Sequence, residues 1–208
     1  MLSLQVALSF FGIAVVLALV PGPDNLFVLM QSAMWGRKSG ICVVLGLCTG
    51  LLVHTAAVAL GLAAIFAASA GAFTVLKLAG AAYLAYLAWG AFRARGHLDS
   101  HDKIPRRPAG VLYRRGILMN LSNPKVSLFF LAFLPQFTSP ARGPVALQIL
   151  QLGALFILAA LLVFGCIAFF SGLFGQHVQR SPRARRVLNR CAGVVFLGLA
   201  VKLALSGR

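Results

Sequence analysis

Long apolar runs separated by short polar connections dominate this chain. Six such runs lie at 3–34, 41–67, 71–92, 115–138, 144–172 and 188–206. Each is close to or above the roughly 20 residues that a helix needs to cross a hydrocarbon core. Residues in the lipid core must satisfy every backbone polar group internally, and continuous apolarity without strict alternation selects helices over a barrel. The longest polar stretch, Arg93 to Arg115, is only loop-sized. The pattern therefore predicts an all-α membrane protein: one integral domain over 1–208, with six transmembrane helices divided into residues 1–92, a cytoplasmic loop at 93–114, and residues 115–208. A cleavable signal peptide needs positive charge ahead of its apolar segment. The first basic residue is Arg37, so the first run is expected to be retained.

Composition agrees with a lipid environment and changes how the charge is read. The 208 residues are 60% hydrophobic, with a mean hydropathy of +0.92. A net charge of +16 alone would suggest nucleic-acid binding, but the basic residues lie between apolar runs and form no continuous basic face. Arg37 and Lys38 follow the first run; Arg93, Arg95, Lys103, Arg106, Arg107, Arg114 and Arg115 follow the third; Arg180, Arg183, Arg185, Arg186 and Arg190 follow the fifth. Lys and Arg favour cytoplasmic loops and meet anionic headgroups there. Three alternate connections thus agree on six spans with both termini outside the cytoplasm, membrane lipid as partner and no nucleic acid. Arg142 and Arg208 fall on the opposite side; Lys77 and Lys202, near outer helix ends, are expected to snorkel.

Six spans split into three and three, and an odd number of crossings inverts one half relative to the other. "LKLAGAAYLAYL" in run three and "LNRCAGVVFLGL" in run six align Lys77 with Arg190, Gly80 with Gly193 and Tyr83 with Phe196. "VPGPDNLFVL" in run one and "LSNPKVSLFFL" in run four align Pro23 with Pro124 and Asp24 with Lys125. The expected architecture is two inverted three-helix repeats, the first helix of each broken at proline. Paired interruptions of this kind point to a transporter binding site, because a break frees backbone groups that only protein or a watery cavity can satisfy.

The residues at the breaks carry the chemistry. Asp24 and Asn123 are placed to cap the resuming helices, with Pro124 at the first helical position. Capping does not account for Lys125, which costs about 2.5–3.5 kcal/mol at bilayer depth. Of the three acidic residues, Asp99 and Asp102 lie in the loop after run three, leaving Asp24 as the carboxylate within apolar sequence. Asp24 and Lys125 are therefore expected to face one polar cavity, whose charges suit a zwitterion such as an amino acid; an ion pair that only locks the halves together is the alternative. Gly46, Gly50 and His54 share a helix face. That spacing fits close helix packing, with His54 either a structural hydrogen bonder or, alongside Asp24, a candidate for proton coupling. Cys42, Cys48, Cys166 and Cys191 show no C-x-x-C spacing, so no metal site is expected unless cysteines on different helices converge. A single carboxylate in apolar sequence, with neither H-E-x-x-H nor a visible Ser/His pairing, argues against catalytic residues. A non-transporting scaffold stays open.

Across nearly its full length the chain resembles the LysE/RhtB family of bacterial amino-acid exporters. The resemblance rests on "PGPDN" at 21–25, "GRKSG" at 36–40, "GLCTGLLVHTAAVALGL" in run two, "LKLAGAAYLAYLAWG" at 76–90 and "NLSNPKVSLFFLAFLPQF" at 120–137. It implies an inner-membrane exporter of small amino acids or close relatives, a homodimer driven by the proton gradient and needing no cofactor. The implied substrate-binding residues are Pro21, Gly22, Pro23, Asp24, Asn25, Asn123, Pro124 and Lys125. It does not identify the transported compound, and some distant relatives handle cations.

Overall fold

A computed structural model describes residues 2–68, 70–93, 107–180 and 182–205, and every element among them is helical. In chain order these are α1 (Leu4–Leu19), α2 (Pro23–Trp35), α3 (Arg37–Ala68), α4 (Ala70–Arg93), α5 (Ala109–Leu121), α6 (Pro124–Leu128), α7 (Val145–Arg180) and α8 (Pro182–Leu205). Between α6 and α7 the chain passes through a π-helical turn at Phe129–Phe133 and 3₁₀ turns at Leu134–Phe137 and Pro140–Arg142. The loop residues Arg95, Asp99, Asp102, Lys103 and Arg106 lie outside the described residues, as does the side chain of Lys77.

The first and fourth runs are both interrupted where proline was expected to interrupt them. Between α1 and α2 the axis turns by 63°, and between α5 and the segment Pro124–Phe137 by 50°. Proline explains both turns through its missing N–H. Pro21 and Pro23 deprive the carbonyls of Leu17 and Leu19 of their donors four residues on, and Pro124 does the same to Asn120. Pro23 and Pro124 each then occupy the first turn of the resuming helix, where no N–H is required. Farther on, Pro135 ends regular helix again, and Leu134 N–H reaches back five residues to Phe129 as the chain leaves the π turn.

Arg37–Gly61 of α3 and Val145–Ser171 of α7 are long and apolar enough to cross a membrane, and each bent pair taken as one span raises the number to four. Runs three and six form α4 and α8, each of 24 residues. Helix ends depart from the apolar boundaries in a consistent way. Arg37 and Lys38 open α3, Arg114 and Arg115 lie inside α5, and α7 continues to Arg180 with α8 starting at Pro182, so these described residues, expected outside the spans or at their edges, are helical. Hydropathy marks where lipid ends, whereas hydrogen bonding carries a helix on into water, and arginine is a good helix former.

α3 packs most extensively against α5 and α7, α4 against α8, α1 against α7, and α2 against both α3 and α7. A Cβ on Gly153 of α7 would strike Thr55 of α3, and one on Gly40 of α3 would lie 3.1 Å from Ala168 of α7, so these two helices run antiparallel. α4 and α8 do likewise: a Cβ on Gly80 would lie 3.2 Å from Leu203, and one on Gly193 would lie 2.6 Å from Phe92. Both aligned glycines thus sit in the same helix pair, each where a neighbour approaches closely. α1 lies on α7 as α5 lies on α3. The core is aromatic, with Phe10 of α1 within 5.1 Å of Phe137, 6.0 Å of Phe129 and 6.5 Å of Phe156 between ring centroids.

Candidate functional site

The two breaks meet. Asn123, the residue before α6, accepts the Lys125 N–H at its Oδ1 (3.1 Å), and its Nδ2 donates to Oδ2 of Asp24 at 2.9 Å. One amide side chain therefore caps α6 and ties it to the first turn of α2, 99 residues away in sequence. Asp24, Asn25, Asn123 and Lys125 are all buried, the lysine at 8% exposure.

Lys125 reaches the other side of the first break. Its ammonium donates to the carbonyls of Val20 (3.3 Å) and Leu17 (3.5 Å), and Nδ2 of Asn25 donates to Ala18 at 2.7 Å. Leu17 is the carbonyl freed by Pro21, and all three belong to the negative end of α1, where a cation is favoured. Gly22 makes room for this approach, since a Cβ there would stand 3.3 Å from Lys125 Nζ. The second break is treated in a corresponding way. The Asn120 carbonyl, freed by Pro124, accepts the Asn123 N–H at 3.1 Å and lies 3.4 Å from His54 Nε2. The His54 ring also lies 5.6 Å from Phe130.

These contacts refine the sequence reading. Asn123 caps its helix as expected; Asp24 does not, because Gly22 is the capping residue of α2 and makes no side-chain bond. Asp24 lies one residue beyond Pro23, inside the first turn, and spends one oxygen on Asn123 instead. Among the described residues no ion pair joins Asp24 to Lys125: the Leu17 and Val20 carbonyls and the Asn123 amide take the places that each charge would have filled for the other. Gly46 and Gly50 pack on α5, with a Cβ on Gly46 within 3.0 Å of Gly116 Cα and one on Gly50 within 2.7 Å of the Asn120 side chain. His54 continues that same interface. Lys202, expected to snorkel, lies 5.0 Å from the Phe137 ring and 5.7 Å from that of Phe133.

The site is left with unused capacity. Oδ1 of Asp24 and Oδ1 of Asn25 are buried without a hydrogen-bond partner, each such group costing about 1–3 kcal/mol if nothing meets it. The arrangement offers a carboxylate oxygen to a donor, an ammonium to an acceptor, and two helix N-termini converging on one place. Pro21 and Gly22 line the break through their backbone, while Pro23 and Pro124 are exposed and act by ending hydrogen-bond ladders. Cys48 is buried and Cys166 exposed; among the described residues no three His, Cys, Asp or Glu side chains gather as a metal site would require. Two polar residues that the sequence reading passed over, Gln31 and Asn120, are buried at 0% and 2% exposure. An uncharged amide inside an apolar run was the available signal.

Comparison with known proteins gives consistent matches. The family described as LysE type translocator matches residues 15–207. A Salmonella typhimurium protein named homoserine/homoserine lactone efflux protein is 34% identical over 188 residues, covering 90% of each chain. A Salmonella choleraesuis protein named leucine efflux protein is 30% identical over 204 residues, covering 92% of this chain and 91% of its own. A Vibrio cholerae membrane protein is 33% identical over 204 residues, 98% of both chains. No solved structure matches.

Proposed function

Given that this chain belongs to the LysE type translocator family, we propose that it exports an amino acid or close derivative from the bacterial cytoplasm, in exchange for protons, by alternating access at the paired helix breaks. The observation that carries this reading is the junction of the two breaks through Asn123, where Asp24 keeps an unpartnered oxygen beside the first turns of α2 and α6. An ammonium group fits the free Asp24 oxygen. A carboxylate fits the helix N-termini and competes with α1 carbonyls for the Lys125 ammonium. The efflux names of the relatives support an amino acid or lactone-type derivative as cargo.

The reciprocal packing of α1 on α7 and α5 on α3, and the antiparallel α3–α7 and α4–α8 pairs, support six spans in two inverted three-helix repeats within one domain. In this reading α1–α2 and α5–α6 each form one broken span, α4 and α8 cross as well, and both termini face the periplasm of the inner membrane. One repeat rocks against the other around the breaks. Asp24 takes up the coupling proton, His54 assists it, and two copies form the working dimer.

Inverted vesicles loaded with a pH gradient provide the test. Labelled leucine, homoserine and a panel of other amino acids are offered, and gradient-dependent accumulation of at least one is the expected result. Absence of accumulation for every compound, from vesicles containing folded protein, overturns the reading.

A further inference from the structure

α1 packs on α7 and α8 packs on α4, and the two do not pack extensively on each other. A groove of about 400 Å³ opens between them, away from the paired breaks. One wall is the side of α1 that carries Leu8, Gly12 and Val16; the other is the side of α8 that carries Val195, Gly198 and Lys202. Spacings of three and four residues put each set on one helix face. The two glycines hold the groove open, since a Cβ on Gly12 or on Gly198 would meet nothing within 4 Å. Gly193, also on α8, is by contrast covered by Phe92 at 2.6 Å. From Leu8 to Val16 the α1 wall runs about 12 Å, most of the depth of one leaflet in a hydrocarbon core of about 30 Å.

Positive charge gathers at one end of this apolar groove. Lys202 Nζ lies 5.0 Å from the Phe137 ring, which lies 5.1 Å from the Phe10 ring of α1, so the ammonium stands toward the Leu8 end. Arg142 Nη2 donates to the carbonyl of the same Phe137 at 2.9 Å. Two cations thus converge on one residue beside the groove. An aromatic face attracts an ammonium without neutralising it. Asp24, the only side-chain carboxylate among the described residues, is bound by Asn123 at the breaks. In the six-span reading this end lies at the outer surface, the side where basic residues are scarce.

We propose that the α1–α8 groove binds an anionic glycerophospholipid, with one acyl chain between Gly12 and Gly198, the phosphate at the Lys202 ammonium and Arg142 as the second cation of the headgroup site. The walls supply apolar surface over the depth of a single leaflet, and the charge stands where a headgroup would. A zwitterionic amino acid would find no carboxylate here for its ammonium. A helix of a second copy, about 10 Å across, is too broad to enter and could place only side chains in the groove. The assignment stands on the α1–α8 geometry and is independent of the cargo.

Native mass spectrometry of the full-length protein tests it, after delipidation in detergent and addition of phosphatidylglycerol or phosphatidylcholine with the same acyl chains. The parent is expected to bind phosphatidylglycerol at least fivefold more tightly. Lys202→Gln is expected to cut that preference below twofold while both lipids still bind. Gly12→Leu combined with Gly198→Leu fills the groove and is expected to weaken binding of both lipids at least fivefold. Gly165→Leu on α7, where a Cβ also meets nothing within 4 Å, is expected to bind as the parent does. Leucine favours helix over glycine and the added atoms enter open space, so the groove-filled protein is expected to assemble; Lys202→Gln reports independently of it. A parent without preference for phosphatidylglycerol overturns the proposal, as does a groove-filled variant that binds it like the parent. A groove-filled variant that keeps its lipid and changes from dimer to monomer also overturns it and gives the groove to a second copy. Failure of the exporter reading moves none of these readouts.

Discussion

At Lys125 the ammonium group takes two main-chain carbonyls, Val20 and Leu17, and leaves the Asp24 carboxylate to Asn123. Each charge is thus bound by neutral dipoles, of which the Leu17 carbonyl is made available by Pro21. This separates the roles of the two residues. Lys125→Met keeps the side-chain length but returns two carbonyls to an orphaned state, so the protein is expected to lose about 1–3 kcal/mol for each, read as a lower melting temperature in detergent. Asp24→Asn retains a polar side chain able to bond Asn123, so its melting temperature is expected to stay near that of the parent. Its gradient-driven export is expected to fall at least tenfold, measured in the same vesicles. Asn123→Ala removes both a cap, worth about 0.5–2 kcal/mol, and the tie to Asp24, and is expected to lower both stability and export.

Among the helices, the breaks were legible in the sequence because proline's missing N–H is a property of one residue, and "PGP" and "NP" stand out in apolar surroundings. The partners at the breaks were less legible. The sequence offers Asp24 as the evident companion for a buried lysine, because carboxylates are visible as letters and freed carbonyls are not. Counting the donors removed by Pro21 would have pointed to Leu17. Helix ends were misjudged where arginines continue regular hydrogen bonding past the apolar boundary, as at Arg37 and Arg180. The glycine stripe of α3 was read correctly as close packing, and its geometry gives a graded expectation. Gly46→Ala pushes into the α5 backbone at Tyr113 and Gly116, where overpacking costs about 1–3 kcal/mol. Gly12→Ala, with nothing within 4 Å of the added carbon, is expected to be neutral. Thermal unfolding of the two variants side by side checks the contrast.

Over the whole molecule, the distribution of arginine and lysine gives the arrangement a testable orientation. Reporter fusions at both ends are expected to be active in the periplasm and inactive in the cytoplasm, and a fusion within residues 94–106 the reverse. An opposite result at either end would remove the six-span arrangement while leaving the geometry of the breaks untouched. Both breaks draw a hydrogen-bonding group from the distant part of the chain: Lys125 serves α1, and His54 approaches the end of α5. The ribosome therefore releases α1 and α2 long before the lysine that completes them has been made. Until residue 125 has been made, the Leu17 and Val20 carbonyls lack the ammonium that meets them in the folded chain, so products truncated before that residue are expected to turn over faster than the full chain in pulse-chase labelling.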